Sequence, residues 1–252
     1  MSMPETVQGV LATPGLLWLV LTFLIAGVVR GFTGFGTALI VMPVAAVLLP
    51  VPVAIAMVTF TGIFTWPLIV PGAVRAADKR EVLVLAGAAI LTAPLGVWFL
   101  SWMDRDVLRW AVALAAAATL AALVTGWRYQ GRVHGAGVAA IGGAAGVLGG
   151  TTGLTGPPVI LFYLASTRPA AVMRANTILF LALLDIGIVA NLFARGLIDW
   201  PVVPLALTLA IPYGAGIAVG QGLFHPDLER IYRRLAYLVI AAAILTGLPL
   251  FD

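Results

Sequence analysis

The chain has 252 residues, 62% of them hydrophobic and only 10% charged, with a net charge of +4 and a mean hydropathy of +1.10. Soluble domains carry about 25% charged residues, so this chain cannot cover itself in water and reads as an all-α polytopic membrane protein. It contains no cysteine, which excludes disulfides, thiol catalysis and thiolate metal sites. In chain order, residues 1–14 form an N-terminal tail without the basic start of a signal peptide. A short apolar run at 15–29 meets a glycine-rich knot, and a second short run follows at 36–49. Full-length runs then cover 53–71, 82–100 and 108–127, each near the roughly 20 residues that cross a bilayer as helix. The runs are continuous rather than alternating, which argues against a barrel. After an inter-repeat loop at 128–134 the pattern starts again: 136–149, a knot at 150–156, 157–165, then 172–194, 201–223 and 231–249.

The second half repeats the first. RGFTGFGTALIVMPVAAVLLPVPV (30–53) aligns with GGTTGLTGPPVILFYLASTRPAAV (149–172) at a shift of 119. That shift superposes Gly31 on Gly150, Thr33 on Thr152, Gly34 on Gly153 and Pro50 on Pro169. Residues 15–127 and 135–252 therefore read as two membrane repeats, each a broken segment followed by three spans.

Charge decides how each broken segment sits. Its flanking runs are about 20 Å long at 1.5 Å per residue, short of the ~30 Å hydrocarbon core. Two half-depth helices forming a re-entrant hairpin fit that length. With hairpins, ten basic residues (Arg75, Lys79, Arg80, Arg128, Arg132, Arg168, Arg174, Arg230, Arg233, Arg234) share one side. Only three (Arg105, Arg109, Arg195) lie on the other, with both termini. Single crossings would split them six to seven. Positive residues gather on the cytoplasmic side, so the hairpin reading is preferred and both termini are expected in the periplasm. Three crossings per repeat invert the second repeat relative to the first, a plan used by secondary transporters with sites at broken helices near the midplane.

The knots carry the expected chemistry. A helix starting at a tip directs unpaired N–H groups and a partial positive charge inward, where they bind anions. The substrate-binding candidates are Arg30, Gly31, Thr33, Gly34, Gly36 and Thr37 in the first knot. The second contributes Gly150, Thr151, Thr152, Gly153, Thr155 and Gly156. Glycines such as Gly142, Gly146 and Gly150 would equally serve close helix packing, and Arg30 would otherwise snorkel to water or pair with Asp185. Pro157 and Pro158 fit a first helical turn. Asp185 stands in the middle of ILFLALLDIGIVANLF, where an ionised acid costs a few kcal/mol or more, and is the proton-coupling candidate. Asn176, Tyr163 and Tyr213 are secondary site candidates; Asn191, Gln221, Thr59, Thr61 and Thr92 are further polar residues within spans. Trp18, Trp66, Trp98, Trp102, Trp127 and Trp200 read as interfacial anchors.

The paired motifs RGFTGFG and GGTTGLTGPPVILFY, with the duplicated four-segment unit, resemble the TauE/SafE sulfite exporter family. The resemblance implies export of sulfite, organosulfonates or related anions from bacteria, through a multi-pass inner-membrane protein. Alternatives are a passive anion channel on the same tips, or an integral-membrane enzyme acting on lipids. The enzyme would need clustered acids, or His and Cys; here the acids are dispersed, and His134 and His225 fall in different loops. GFTGFG lacks the order of a dinucleotide fingerprint and neither knot continues into the Gly-Lys of a P-loop. No cofactor, metal or nucleic acid is expected. The partners are a small anion and the lipid bilayer, and a homo-oligomer is allowed.

Overall fold

Apolar sequence in lipid must satisfy its own backbone hydrogen bonds, and continuous runs of Ala, Leu, Val and Ile do so as helices. In the computed structural model, which describes residues 3–33, 35–126, 135–164, 166, 168–223, 225 and 229–250, the elements are all helical. They are α1 (Met3–Leu11), α2 (Leu16–Thr33), α3 (Thr37–Leu48), α4 (Val51–Ile63), α5 (Trp66–Ala76) and α6 (Lys79–Trp102). The rest are α7 (Arg105–Thr125), α8 (Ala136–Thr152), α9 (Pro157–Leu164), α10 (Ala170–Ala194), α11 (Val202–Leu223) and α12 (Glu229–Gly247). Of the described helices, five are long and apolar enough to cross a membrane: α2, α6, α7, α10 and α11. The proposed inter-repeat loop, Trp127 and Gly34 lie outside the described residues.

At the 119 shift α2 and α3 match α8 and α9, α4 with α5 matches α10, α6 matches α11 and α7 matches α12. The match extends to backbone angles: Pro50 before α4 has φ −55° and ψ 136°, and Pro169 before α10 has φ −56° and ψ 136°. One expected span is interrupted. The run at 53–71 breaks between α4 and α5 because Pro67 has no N–H to offer the carbonyl of Ile63, and its ring crowds that carbonyl. In the second half the same stretch is the unbroken 25-residue α10, about 37 Å long.

Packing fixes the path of each broken segment. A Cβ added to Gly15, before α2, would lie 2.7 Å from the Leu48 side chain at the end of α3. The start of α2 and the end of α3 are thus side by side, and the pair is an antiparallel hairpin. Its arms are unequal, with 18 and 12 residues, because α2 continues through Arg30 to Thr33 rather than stopping near residue 29.

In the second hairpin α8 runs alongside α6. Gly142, Gly146 and Gly150 sit in turn against the carbonyls of Leu85, Ala89 and Ala93, so the two helices advance in the same direction. From the knot, α9 returns to the beginning of α6, where the Tyr163 hydroxyl donates to Glu81 Oε1 at 3.0 Å. α2 packs on α11 in the corresponding manner, Gly27 and Gly31 lying against Tyr213 and Ile217 and Gly216 and Gly220 against Leu24 and Val28. Each hairpin thus packs against a long helix of the other half, which ties the halves into one body. The α6 start adjoins the N-terminal end of α10, where Asn176 bonds Glu81. The α11 start follows its C-terminal end, so the two hairpins open toward opposite ends of α10.

Candidate anion-binding cavity

The two knots and the middle of α10 enclose a cavity of about 80 Å³. Arg30 of α2 and Phe35, Gly36 and Thr37 of the first knot form one wall; Gly153, Thr155, Gly156 and Pro157 of the second knot face them. Ala38 and Leu39 of α3, Val58, Thr59 and Gly62 of α4, Trp66 and Ile69 of α5, Ile160 of α9, Ile178, Leu181, Ala182 and Asp185 of α10 and Tyr213 of α11 complete it.

The chain turns at the knots because glycine permits it. Gly36 has φ 100° and Gly153 has φ 75°, a left-handed region in which a Cβ is strained. Both knots close their first helix with the same device. The Thr33 hydroxyl donates to the Val29 carbonyl at 2.7 Å and accepts from the Phe35 N–H at 3.3 Å. Thr152 donates to Leu148 at 2.7 Å and accepts from the Leu154 N–H at 3.2 Å. The two hydroxyls cap helix ends.

Of the predicted binding residues, the structure brings Arg30, Gly36, Thr37, Gly153, Thr155 and Gly156 to the cavity, together with Asp185 and Tyr213. It places others elsewhere. Gly31 and Gly150 are helix-packing glycines: a Cβ on either would come within 2.6 Å of a backbone carbonyl of the neighbouring helix. Thr33 and Thr152 are caps, and Thr151 donates to Val147 and Gly96. Asn176 and Tyr163 both bond Glu81, away from the cavity. Among the further polar residues, Thr61, Thr92 and Asn191 bond backbone carbonyls, and Gln221 is exposed.

What remains is a small donor set with one acid. The Arg30 guanidinium approaches Thr37 Oγ1 at 3.4 Å, a long and weak bond, and Thr37 shares a 2.8 Å bond with the Tyr213 hydroxyl. The Thr59 and Thr155 hydroxyls line the cavity with no protein hydrogen bond among the described residues. Asp185 likewise has no hydrogen bond or salt bridge among them, and Arg30 acts on it electrostatically across the space. The two tips are unequal. The first turn of α3 keeps its N–H groups, whereas Pro157 and Pro158 remove two from the first turn of α9. Arg30 also has no counterpart: the equivalent Gly149 lies under Thr155, which a Cβ would meet at 2.6 Å.

Trp66 and Gly62 are among the lining residues that the sequence alone does not single out. Trp66 was expected at an interface, yet it lies on the cavity wall, 119 positions before Asp185 and so at the equivalent place in the first repeat. Pro67 after it was the available signal. Gly62 adjoins the acid: a Cβ there would stand 3.9 Å from Asp185 Oδ2.

A polar cavity held between two glycine-broken hairpins inside a helical membrane protein is the build of a small-solute transporter. A family model described as sulfite exporter TauE/SafE matches residues 19–246, and the chain belongs to that family of membrane exporters. No curated protein and no solved structure matched the chain.

Proposed function

We propose that the chain is a secondary transporter that exports a small sulfur-containing oxyanion across the bacterial inner membrane by alternating access, coupled to proton movement through Asp185. The observation that carries this reading is the convergence of Arg30, Thr59, Thr155 and Asp185 on one cavity. Arg30, the two hydroxyls and the N–H groups of α3 supply donors to an oxyanion. Asp185 supplies a site for a proton. An anion beside Arg30 repels an ionised Asp185 and is tolerated better beside a protonated one, so anion occupancy and protonation are linked. One arginine and one helix start hold the ion without the several cations that would slow its release.

Size narrows the substrate. About 80 Å³ is far below the roughly 300–1,000 Å³ of pockets for drug-sized ligands, which favours sulfite over longer organosulfonates. The opening of the hairpins toward opposite ends of α10 supports inverted repeats, residues 15–127 and 135–252. The charge distribution supports periplasmic termini and cytoplasmic loops at 75–80 and 230–234.

The test is flux in proteoliposomes with sulfite, a taurine-like sulfonate and sulfoacetate. Sulfite is expected to move fastest and to respond to an imposed pH gradient. Protein-dependent flux of none of the three would overturn the reading. Orientation is checked with single cysteines at Ser2, Ala77 and Asp252 and an impermeant thiol reagent on intact cells. The two ends should label and Ala77→Cys should not.

A further inference from the structure

A cluster of charged and polar side chains outside the cavity joins four segments of chain. Arg168, in the link between α9 and α10, meets Asp78 Oδ2 at 2.7 Å and Glu81 Oε2 at 2.9 Å. Glu81 Oε1 accepts from the Tyr163 hydroxyl at 3.0 Å and from Asn176 Nδ2 at 2.9 Å. Asn176 Oδ1 in turn accepts the Asp78 N–H at 2.8 Å. Asn176 is fully buried and the Glu81 side chain is 11% exposed, while Arg168 and Asp78 are 38% and 36% exposed. The cluster has a dry floor and a wet rim.

Its position relative to the cavity follows from α9 and α10. Ile160 of α9 lines the cavity and Tyr163, one turn on, bonds Glu81. On α10, Asn176 precedes Asp185 by nine residues, about 13 Å of helix. The opposite end of α10 is built differently. The 119 shift carries Asp78 to Leu197, Glu81 to Trp200, Arg168 to Leu49, Asn176 to Met57 and Tyr163 to Val44. Every polar member becomes apolar. Leu49, Leu197 and Trp200 line a cleft of about 680 Å³, bordered by Val10 of α1 and by Thr13 and Pro14 after it; its one acid, Asp199, has no ion pair among the described residues.

We propose that Arg168, Asp78 and Glu81, with Tyr163 and Asn176, form the gate of one mouth of the cavity, and that the opposite mouth closes beside α1 mainly on apolar contact, without an ion pair across it. The proposal rests on the alternating-access reading above. When shut, the Glu81 arm is shielded from water, and removing one partner strands a charge. When the mouth opens, water solvates all three ions and the pairing contributes little. The same bonds are therefore strong in one state and weak in the other, which makes the element two-state. An oxyanion arriving at this mouth offers Arg168 an alternative to its carboxylates, so substrate itself can release the gate. The opposite mouth has no arginine–carboxylate pair among the described residues for an anion to exchange with.

The experiment uses a reporter cysteine at Ala182, which lines the cavity, in a chain with no native cysteine. Labelling by an impermeant thiol reagent is followed in sealed vesicles of both orientations. Arg168→Gln and Glu81→Gln should each raise labelling from the face bearing Ala77 about tenfold, the effect of a lost charge-assisted bond of roughly 1.5 kcal/mol. Neither should raise it from the other face, and Arg168→Lys should stay close to the parent. Leu49→Ser should raise labelling from the opposite face only. The unaltered gate provides a reading that needs no folded variant. Raising salt to 1 M shortens the screening length to about 3 Å and should increase labelling from the Ala77 face alone. Unchanged labelling in folded Arg168→Gln and Glu81→Gln, equal increases from both faces, or no response of the parent to salt would overturn the gate. Sulfite plays no part in this readout, so a failure of the transport reading shows in the flux assay and a failure of the gate shows here.

Discussion

Thr33 and Thr152, equivalent residues of the two repeats, make the same pair of bonds, each donating to the carbonyl four residues back and accepting an N–H two residues on. Their hydroxyls terminate α2 and α8. Thr155, three residues beyond Thr152, presents its hydroxyl to the cavity instead. Substitution by valine should therefore separate the two roles. Thr152→Val should lower the melting temperature, costing about 0.5–1.5 kcal/mol, with sulfite affinity unchanged. Thr155→Val should leave melting nearly unaltered and weaken binding. Thermal shift with and without sulfite reads both, and equal loss of affinity in the two variants would return Thr152 to the binding set.

Arg30 is a cationic lining residue of the cavity, fastened there by one long bond to Thr37. Arg30→Gln keeps a hydrogen-bonding side chain and removes the charge. A charge-assisted bond is worth roughly 1.5–3 kcal/mol, so sulfite binding should weaken tenfold to about 150-fold. Expression and melting without ligand should change little. Titration of thermal shift against sulfite is the measurement, and parental affinity would place the anion elsewhere.

Asp185 has no protein hydrogen-bond partner among the described residues and faces the same space. Asp185→Asn holds the shape and removes the titration. Flux driven by a pH gradient should fall to background, while exchange of labelled for unlabelled sulfite persists. An Asn variant that follows the pH gradient normally would assign this acid to packing.

Gly146 packs against the Ala89 carbonyl, and its added Cβ would also press on Thr92 Oγ1, which donates to the Gly143 carbonyl at 2.8 Å. Gly146→Ala must push α8 from α6. Overpacking of this kind costs about 1–3 kcal/mol, and the lower detergent-solubilised melting temperature should appear at every pH. Gly72, where an added Cβ meets nothing within 4 Å, is the control: Gly72→Ala should melt as the parent does.

The gate cluster gives a pH dependence with a definite sign. Arg168, and then the Glu81 N–H, hold the Asp78 carboxyl below the ordinary aspartate value of 3.8, with a smaller contribution from the Arg80 N–H. A group with a depressed folded value stabilises the fold above its unfolded value and loses that contribution as pH falls through the folded one. Stability arising from Asp78 should thus be constant from about pH 5 upward and decline below about pH 4. Asp78→Asn should flatten that acid limb of the melting curve. A limb of the same depth in the variant would assign it to other carboxylates.

The sequence by itself determined the helical membrane class, because a chain with so few charges has no other solvent. It also determined the duplication, since Pro50 and Pro169 or Thr33 and Thr152 recur in register and adopt the same geometry. That the chain turns at two glycine knots was legible because few residues other than glycine turn where Gly36 and Gly153 do. Which knot residues face the cavity was decided only by packing. Gly31 and Gly36 look alike in sequence, but one is consumed by α11 and the other borders the open space. A hydroxyl's role depends on whether a carbonyl lies within reach, so Thr152 and Thr155 part company only once α8 has ended. The gate was likewise hidden: Asp78, Glu81 and Arg168 are separated by up to 90 positions, and of the three only Arg168 stands out in the sequence, as a loop charge. Only the return of α9 to the start of α6 brings them together, with Asn176 buried beneath them.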